Sequence, residues 1–242
     1  MRKDDFPEDI MIKTILWDID GTILDFVAAE KVAIRKCFDI FGLGECDDAM
    51  LADYSAINEK YWQRLERGEM SKPEILVGRF IDFFKKYGID ANLAQAFNDE
   101  YQKRQGDQVF FCPQAMEILV YIRDELGLKQ YAVTNGTKTA QQHKLETSGL
   151  DKIFEKVFIS EDIGYEKPAH EFFEHVYQEI SDFESKREIM IIGDSLTSDI
   201  KGGVQEGLVT CWYNPDHKPN VSGLKFEYEI AQLGEIEAIL CK

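Results

Sequence analysis

In the stretch ILWDIDGTILDF two aspartates, Asp18 and Asp20, stand one residue apart at the end of an apolar run, with Gly-Thr directly behind them. A solvated turn needs only one Asp and a Gly, and two like charges at the tip of a buried strand repel each other, so the second carboxylate needs a chemical reason. In an extended segment, a spacing of two places both side chains on one face. Further polar groups follow other apolar runs: Thr134-Asn135-Gly136, Lys167, Gly193-Asp194-Ser195, and Asp199 one helical turn beyond. Each alone has an ordinary reading, since Asp-Gly is a turn pair, Thr-Asn-Gly a loop, and a lysine before proline a solvated side chain. Their joint occurrence at equivalent strand ends is not explained by turn chemistry. Such a set suits a small anionic ligand, because a bound cation and a nearby lysine reverse the local field.

These residues meet only if the runs before them are neighbouring parallel strands. Candidate strands lie at 12–17, 131–134, 157–159, 189–192 and 209–213, with a weaker one near 226–228. From Tyr131 onward they alternate with helical patterns at 138–148, stopped by Gly149, at 170–180, following a proline, and at 197–205, ending before Gly207. The alternation predicts an α/β fold with a parallel sheet and helices on its faces. In such sheets ligands bind beyond the carboxyl ends of the strands, which is where the polar residues stand.

More than about a hundred residues separate the first two strands, far beyond an ordinary crossover. That interval reads as an inserted all-helical module. Apolar stripes recur at Ile34, Cys37, Phe38 and Phe41, at Tyr54, Ile57, Tyr61, Trp62 and Leu65, and at Leu76, Phe80, Phe83, Phe84 and Tyr87. Ser71 and Glu74 have the spacing of a capping box, and Gly88 closes the helix they open. The stripes are read as packing surfaces, not a cofactor box. Near Pro113 the pattern returns to the sheet, with AMEILVYIRDEL as a packing helix. The expected division is a core formed by 1–27 and 108–242, with 28–107 inserted.

Composition narrows the function classes. Forty-five acidic against 28 basic residues give a formal charge of −17, which opposes binding to nucleic acid or to an anionic membrane surface. Five scattered cysteines without C-x-x-C spacing indicate neither a disulfide framework nor a zinc site. The charged start MRKDDFPEDIMIK does not have the form of a signal peptide, and no apolar run is long enough to span a membrane. The expectation is a cytoplasmic protein, monomeric or dimeric. His143, His170, His175 and His217 show no metal-ligating spacing, and Ser195 lacks the G-x-S-x-G setting of an esterase nucleophile.

The polar residues, in order, resemble the four motifs of the haloacid dehalogenase (HAD) superfamily: Asp18-Ile-Asp20-Gly-Thr, Thr134 in AVTNG, Lys167 in YEKP, and Gly193-Asp194-Ser195 through Asp199. The resemblance covers the whole chain. It implies a Rossmann-like core with the helical insert as a type 1 cap. It also implies that Asp18 attacks phosphorus to form an aspartyl phosphate and that Asp20 serves as acid and base. Mg²⁺, replaceable by Mn²⁺, would be held by the Asp18 carboxylate, the Asp20 carbonyl and the Asp194 carboxylate, with Asp199 hydrogen-bonding a metal water or orienting Lys167. By the same resemblance Lys167, the Thr134 hydroxyl and the loop groups at Asn135 and Gly136 would hold the phosphoryl oxygens. Residues 21–26 would let the cap close and exclude water.

Dehalogenases of the superfamily lack the second aspartate, so Asp20 points to phosphate chemistry. The passages TNGTKTAQQHKLETSGL, FISEDIGYEKP and GDSLTSDIKGGVQEGLVTCWYN look like the house-cleaning pyrimidine 5'-nucleotidase branch. That resemblance implies hydrolysis of small phosphorylated substrates such as dUMP, UMP and dTMP. Tyr54, Tyr61 and Trp62 could offer a stacking surface for the base, although packing inside the cap is their more ordinary role. The alternatives are a sugar-phosphate phosphatase or a beta-phosphoglucomutase-like enzyme, which share core and cap. A non-enzymatic phospholigand binder has no use for Asp18, Asp20, Lys167 and Asp194 together.

Overall fold

The structure, a computed structural model, describes residues 11–181 and 183–241; the first ten residues of the charged N-terminal stretch lie outside them. Six parallel strands form one sheet: β1 (Thr14–Trp17), β2 (Lys129–Thr134), β3 (Lys156–Ile159), β4 (Ile189–Gly193), β5 (Val209–Tyr213) and β6 (Tyr228–Ile230), in the order β3-β2-β1-β4-β5-β6. Trp17 is level with Ala132 on one side and with Ile192 on the other. The first strand is therefore central, and its end is flanked by the ends of β2 and β4.

The strands are buried on both faces, which is why they read as nearly continuous apolar runs. Alternation divides them: Ile15, Trp17, Ala132, Met190 and Ile192 pack on one side with Ala115, Ile118, Leu119 and Ile122. Those four come from α5 (Ala115–Tyr121) and the π turn that continues it, Ile122–Leu126. Leu16, Val133, Phe158, Ile189 and Ile191 pack on the other side with Phe172, Phe173 and Val176 of α7 (His170–Glu179).

Two expectations shift in detail. The sixth strand begins at Tyr228, not near Phe226, because the Glu227 side chain bonds the Thr210 amide (3.1 Å) and hydroxyl (2.5 Å), and Phe226 packs edge-on to Trp212. Backbone pairing starts one residue later, with Tyr228 opposite Cys211. The helix expected at 197–205 opens as a π turn, Leu196–Ile200, and continues as α8 (Lys201–Glu206); Ser195 caps it by accepting from the Ser198 amide at 3.1 Å.

Between β1 and β2 lie α1 (Phe26–Phe41), α2 (Asp48–Glu66), α3 (Lys72–Tyr87) and α4 (Ala94–Arg104). They share their own core of Ile34, Phe38, Tyr54, Phe80, Phe83, Phe84, Phe97 and Tyr101. At the start of α3 the Glu74 carboxylate accepts from the Ser71 amide at 2.8 Å, completing the capping box. Tyr54 is fully buried and stacked on Phe80, with centroids 5.1 Å apart, so its ring belongs to this core and offers no face to a base. Among the described residues, no helix is long and apolar enough to cross a membrane.

Candidate active site

β1 ends at Trp17, and the chain turns sharply: the Ile23 and Leu24 amides both return to the Ile19 carbonyl, at 3.0 and 2.9 Å. Gly21 makes this turn possible. Its φ of +92° is unfavourable for residues with a Cβ, and a Cβ there would lie 2.5 Å from Asp194 Oδ2. The absence of a side chain lets the first turn press against the carboxylate that follows β4.

At the centre lies Lys167, 1% exposed. Its ammonium donates to Asp18 Oδ1 (2.8 Å), Asp199 Oδ1 (2.7 Å) and the Val133 carbonyl (2.6 Å). All three of its donors are engaged, so the cation is fixed in position. The loop carrying it is fastened by Asn135, whose side chain accepts from the Lys167 amide (2.8 Å) and donates to the Lys167 carbonyl (2.9 Å). Burial alone would lower the lysine pKa; the charges of Asp18 and Asp199 more than offset this and raise it. Burial raises the Asp18 carboxyl to about 7 against the pull of Lys167, with Asp199 and Asp20 adding to the rise. Asp18 therefore depends on nearby positive charge to stay ionised.

Asp18, Asp194 and Asp199 each place one carboxylate oxygen within 4.8 Å of the others. Asp199 has both oxygens engaged, Oδ1 by Lys167 and Oδ2 by the Ser195 amide at 3.2 Å. Gly193 leaves room for it, since a Cβ there would fall 2.2 Å from Asp199 Oδ2. Asp194 is exposed, and its backbone carbonyl accepts from Trp212 Nε1 at 2.9 Å. Thr134 is buried at the end of β2 and accepts from the Gly136 amide at 3.0 Å.

Asp20 is held from the opposite side by α6 (Lys138–Ser148), where Gln141 Nε2 donates at 2.6 Å and Lys144 Nζ at 2.7 Å. The structure thus brings Asp18, Asp194, Asp199 and Lys167 into one cluster, sets Thr134 at its edge and separates Asp20 by a different set of contacts. Sequence reasoning missed Gln141 and Lys144; their i, i+3 spacing on the helix after Thr-Asn-Gly was the available signal. It also missed Thr22, whose hydroxyl donates to Asp18 Oδ2 at 3.2 Å. Glu66, at the end of α2, accepts from Thr197 Oγ1 and, at 3.4 Å, from Ser195 Oγ. No local pattern marks it.

Other contacts join the helical insert to the sheet. Lys72 Nζ donates to Ser160 Oγ at 2.5 Å and pairs with Glu166 at 3.3 Å. Gln102 accepts from Thr137 Oγ1 at 2.6 Å, and His143 Nδ1 lies 3.0 Å from the Lys103 carbonyl.

Comparison with known proteins agrees with this geometry. The haloacid dehalogenase-like hydrolase family profile matches residues 12–207, and the chain belongs to that family. It is 40% identical to the HAD-hydrolase YfnB of Bacillus subtilis (strain 168) over 94% of this chain and 95% of that protein. It is 36% identical to the pyrimidine 5'-nucleotidase PynA of Streptococcus pneumoniae (strain ATCC BAA-255 / R6), covering 90% of each. The crystal structure of YfnB bound to magnesium, described as revealing interdomain movement, superposes with a TM-score of 0.89 at 38% identity, covering 96% of this chain and 99% of that one.

Proposed function

We propose that this hydrolase is a Mg²⁺-dependent phosphatase that forms an aspartyl phosphate on Asp18 and acts on pyrimidine nucleoside 5'-monophosphates. The observation that carries the phosphatase reading is the pair of separately held carboxylates. Asp18 is bound to a buried lysine beside Asp194, and Asp20 to a different lysine on α6. One carboxylate is placed to attack and the other to manage a proton. The nucleotide reading rests on the likeness to PynA.

The donor set supports a hard cation such as Mg²⁺, with Mn²⁺ as a substitute: it consists of carboxylate oxygens, and the close approach of Gly21 brings Asp194 beside the first turn. Asp18, Asp194 and the Asp20 backbone carbonyl would hold the ion, while Asp199, with both oxygens engaged, would stay outside its ligand set. When bound, it offsets the negative charge that opposes approach of a carboxylate to a phosphate dianion.

The chain's own residues supply the rest. Lys167 orients Asp18 and keeps it charged as it attacks phosphorus. Asp20 gives a proton to the leaving oxygen, then takes one from the water that cleaves the aspartyl phosphate. The Thr134 hydroxyl and loop amides bind phosphoryl oxygens, and Asn135 keeps the Lys167 loop in register. Helices α1 to α4, which span 26–104 and so begin two residues before the expected start at 28, act as a cap that shuts the site through Glu66, Lys72 and Gln102 and excludes water. A cytoplasmic setting suits the thiols, all of them unpaired among the described residues.

The test is phosphate release from dUMP, dAMP and glucose 6-phosphate with Mg²⁺ present. The expected result is the highest kcat/KM for dUMP, with phosphate and nucleoside formed in equal amounts. A higher value for the hexose phosphate, or isomerisation without phosphate release, moves the assignment to a sugar-phosphate enzyme.

A further inference from the structure

Gln141 is fully buried, and its amide orientation is fixed by chemistry: the side facing the Asp20 carboxylate must be the NH₂ group, because an oxygen there would meet another acceptor. Its Oε1 consequently points elsewhere and has no hydrogen-bond partner among the described residues. A buried amide oxygen without a donor is uncommon in a folded chain. This one lies on the residue that touches Asp20.

A second buried acceptor faces the same region from the helical insert. Glu30 of α1 is 1% exposed and stands one helical turn beyond Phe26, whose ring centroid lies 5.2 Å from Lys144 Nζ. It accepts from the Ser55 hydroxyl and from Asn58 Nδ2 at 2.8 Å, about half of what a carboxylate can accept. Asn58 is fixed in turn by Arg79 Nη1 at 2.6 Å, and Arg79 Nη2 reaches Asn98 at 3.2 Å. Asn98 accepts from Gln102 at 3.1 Å, and Gln102 is tied to Thr137, the N-cap of α6. The two acceptors thus belong to one framework that runs through the insert and back to the helix bearing Gln141 and Lys144. Lys144 itself is buried and bonds Asp20, with Phe26 beneath its ammonium, 5.2 Å from the ring centroid. An ammonium carries three donors, so donor capacity stands beside acceptor capacity.

We propose that Gln141, Lys144 and Glu30 form the subsite for the alcohol half of the ester, and that they read a sugar hydroxyl a few atoms from the ester oxygen. A hydroxyl both donates and accepts, which matches unfilled acceptors next to a lysine; a bare aromatic or aliphatic leaving group matches neither. The inference rests on the phosphatase reading above and adds which part of the substrate is recognised and by which residues. Discrimination comes from the pentose hydroxyl as well as from the base.

The test compares dUMP with 2',3'-dideoxyuridine 5'-monophosphate, which lacks only the 3'-hydroxyl, in wild type, Gln141→Met and Glu30→Gln. A hydrogen bond to a buried or charged acceptor is typically worth roughly 10- to 100-fold in kcat/KM, and wild type is expected to prefer dUMP by such a factor. The ratio should fall severalfold in each variant. Any disturbance of Asp20 in Gln141→Met slows both substrates and cancels from the ratio. A wild-type ratio within about twofold of one, or a ratio retained in both variants, overturns the subsite. Phenyl phosphate separates the two readings: if wild type releases phosphate from it while failing the ratio test, only the subsite is wrong. If wild type hydrolyses none of the three esters, the phosphatase reading fails and the subsite with it.

Discussion

Replacing Glu30 by glutamine isolates the cost of burying a carboxyl inside the helical insert. Burial raises this carboxyl from 4.5 to about 7, against the opposing effects of the Ser55 hydrogen bond, the Arg79 charge and the Asn58 hydrogen bond. The folded chain therefore binds the proton more tightly than the unfolded chain. The resulting stabilisation is fully present below about pH 4.5 and is lost as pH rises through about 7. With those two values, linkage at ~1.4 kcal/mol per pH unit gives a loss of about 2.5 kcal/mol between pH 5 and pH 8. Glutamine has the same shape and does not titrate. The stability of Glu30→Gln relative to wild type should thus shift in the variant's favour by about 2.5 kcal/mol over that interval, whatever the offset at pH 5. Titrations common to both proteins cancel from the difference. Urea unfolding at pH 5, 6, 7 and 8, with linear extrapolation to water, measures it. A difference constant to within about 0.5 kcal/mol across the range would refute the reasoning, because a carboxyl with the same pKa in the folded and unfolded chains contributes no pH dependence to stability.

Asp18→Asn should fold and show no turnover, whereas Asp20→Asn should retain attack and lose roughly 10²- to 10⁴-fold through proton transfer; single-turnover phosphate release distinguishes them, and near-normal turnover by Asp18→Asn contradicts the nucleophile assignment. Chelation should abolish activity, with Mg²⁺ or Mn²⁺ restoring it and Ca²⁺ doing so poorly, since its larger and more flexible shell misplaces the reacting groups; full turnover in excess chelator contradicts this. Lys167→Met leaves Asp18 and Asp199 buried without the cation they share. A loss of about 3–5 kcal/mol in urea unfolding at pH 8 is expected, shrinking as Asp18 takes up a proton toward acid pH; an unchanged midpoint contradicts a structural role for the pair.

The sheet was legible because its strands carry their own evidence: apolar runs such as Ile189–Gly193 are buried on both faces and end in polar residues, a local pattern that needs no knowledge of partners. The same holds for Asp18 and Asp194, which stand directly beyond β1 and β4, and for Lys167 and Asp199, which sit in the connections that follow β3 and β4. Other features depend on tertiary placement. Gln141 and Lys144 read as polar residues on a weakly amphipathic helix, and their importance appears only when that helix is set against Asp20. Glu66 acquires partners from a loop 129–131 residues away, a distance over which sequence spacing says nothing. Tyr54 shows the converse limit, since a helical stripe establishes that a ring faces something apolar but not whether that surface is ligand or neighbouring helix, and only the stack on Phe80 decides it. Thus the residues to which we assign the chemistry were written in local motifs. The residues proposed to select a substrate take their meaning from contacts between the helical insert and the sheet, and it is there that mutation should separate specificity from turnover.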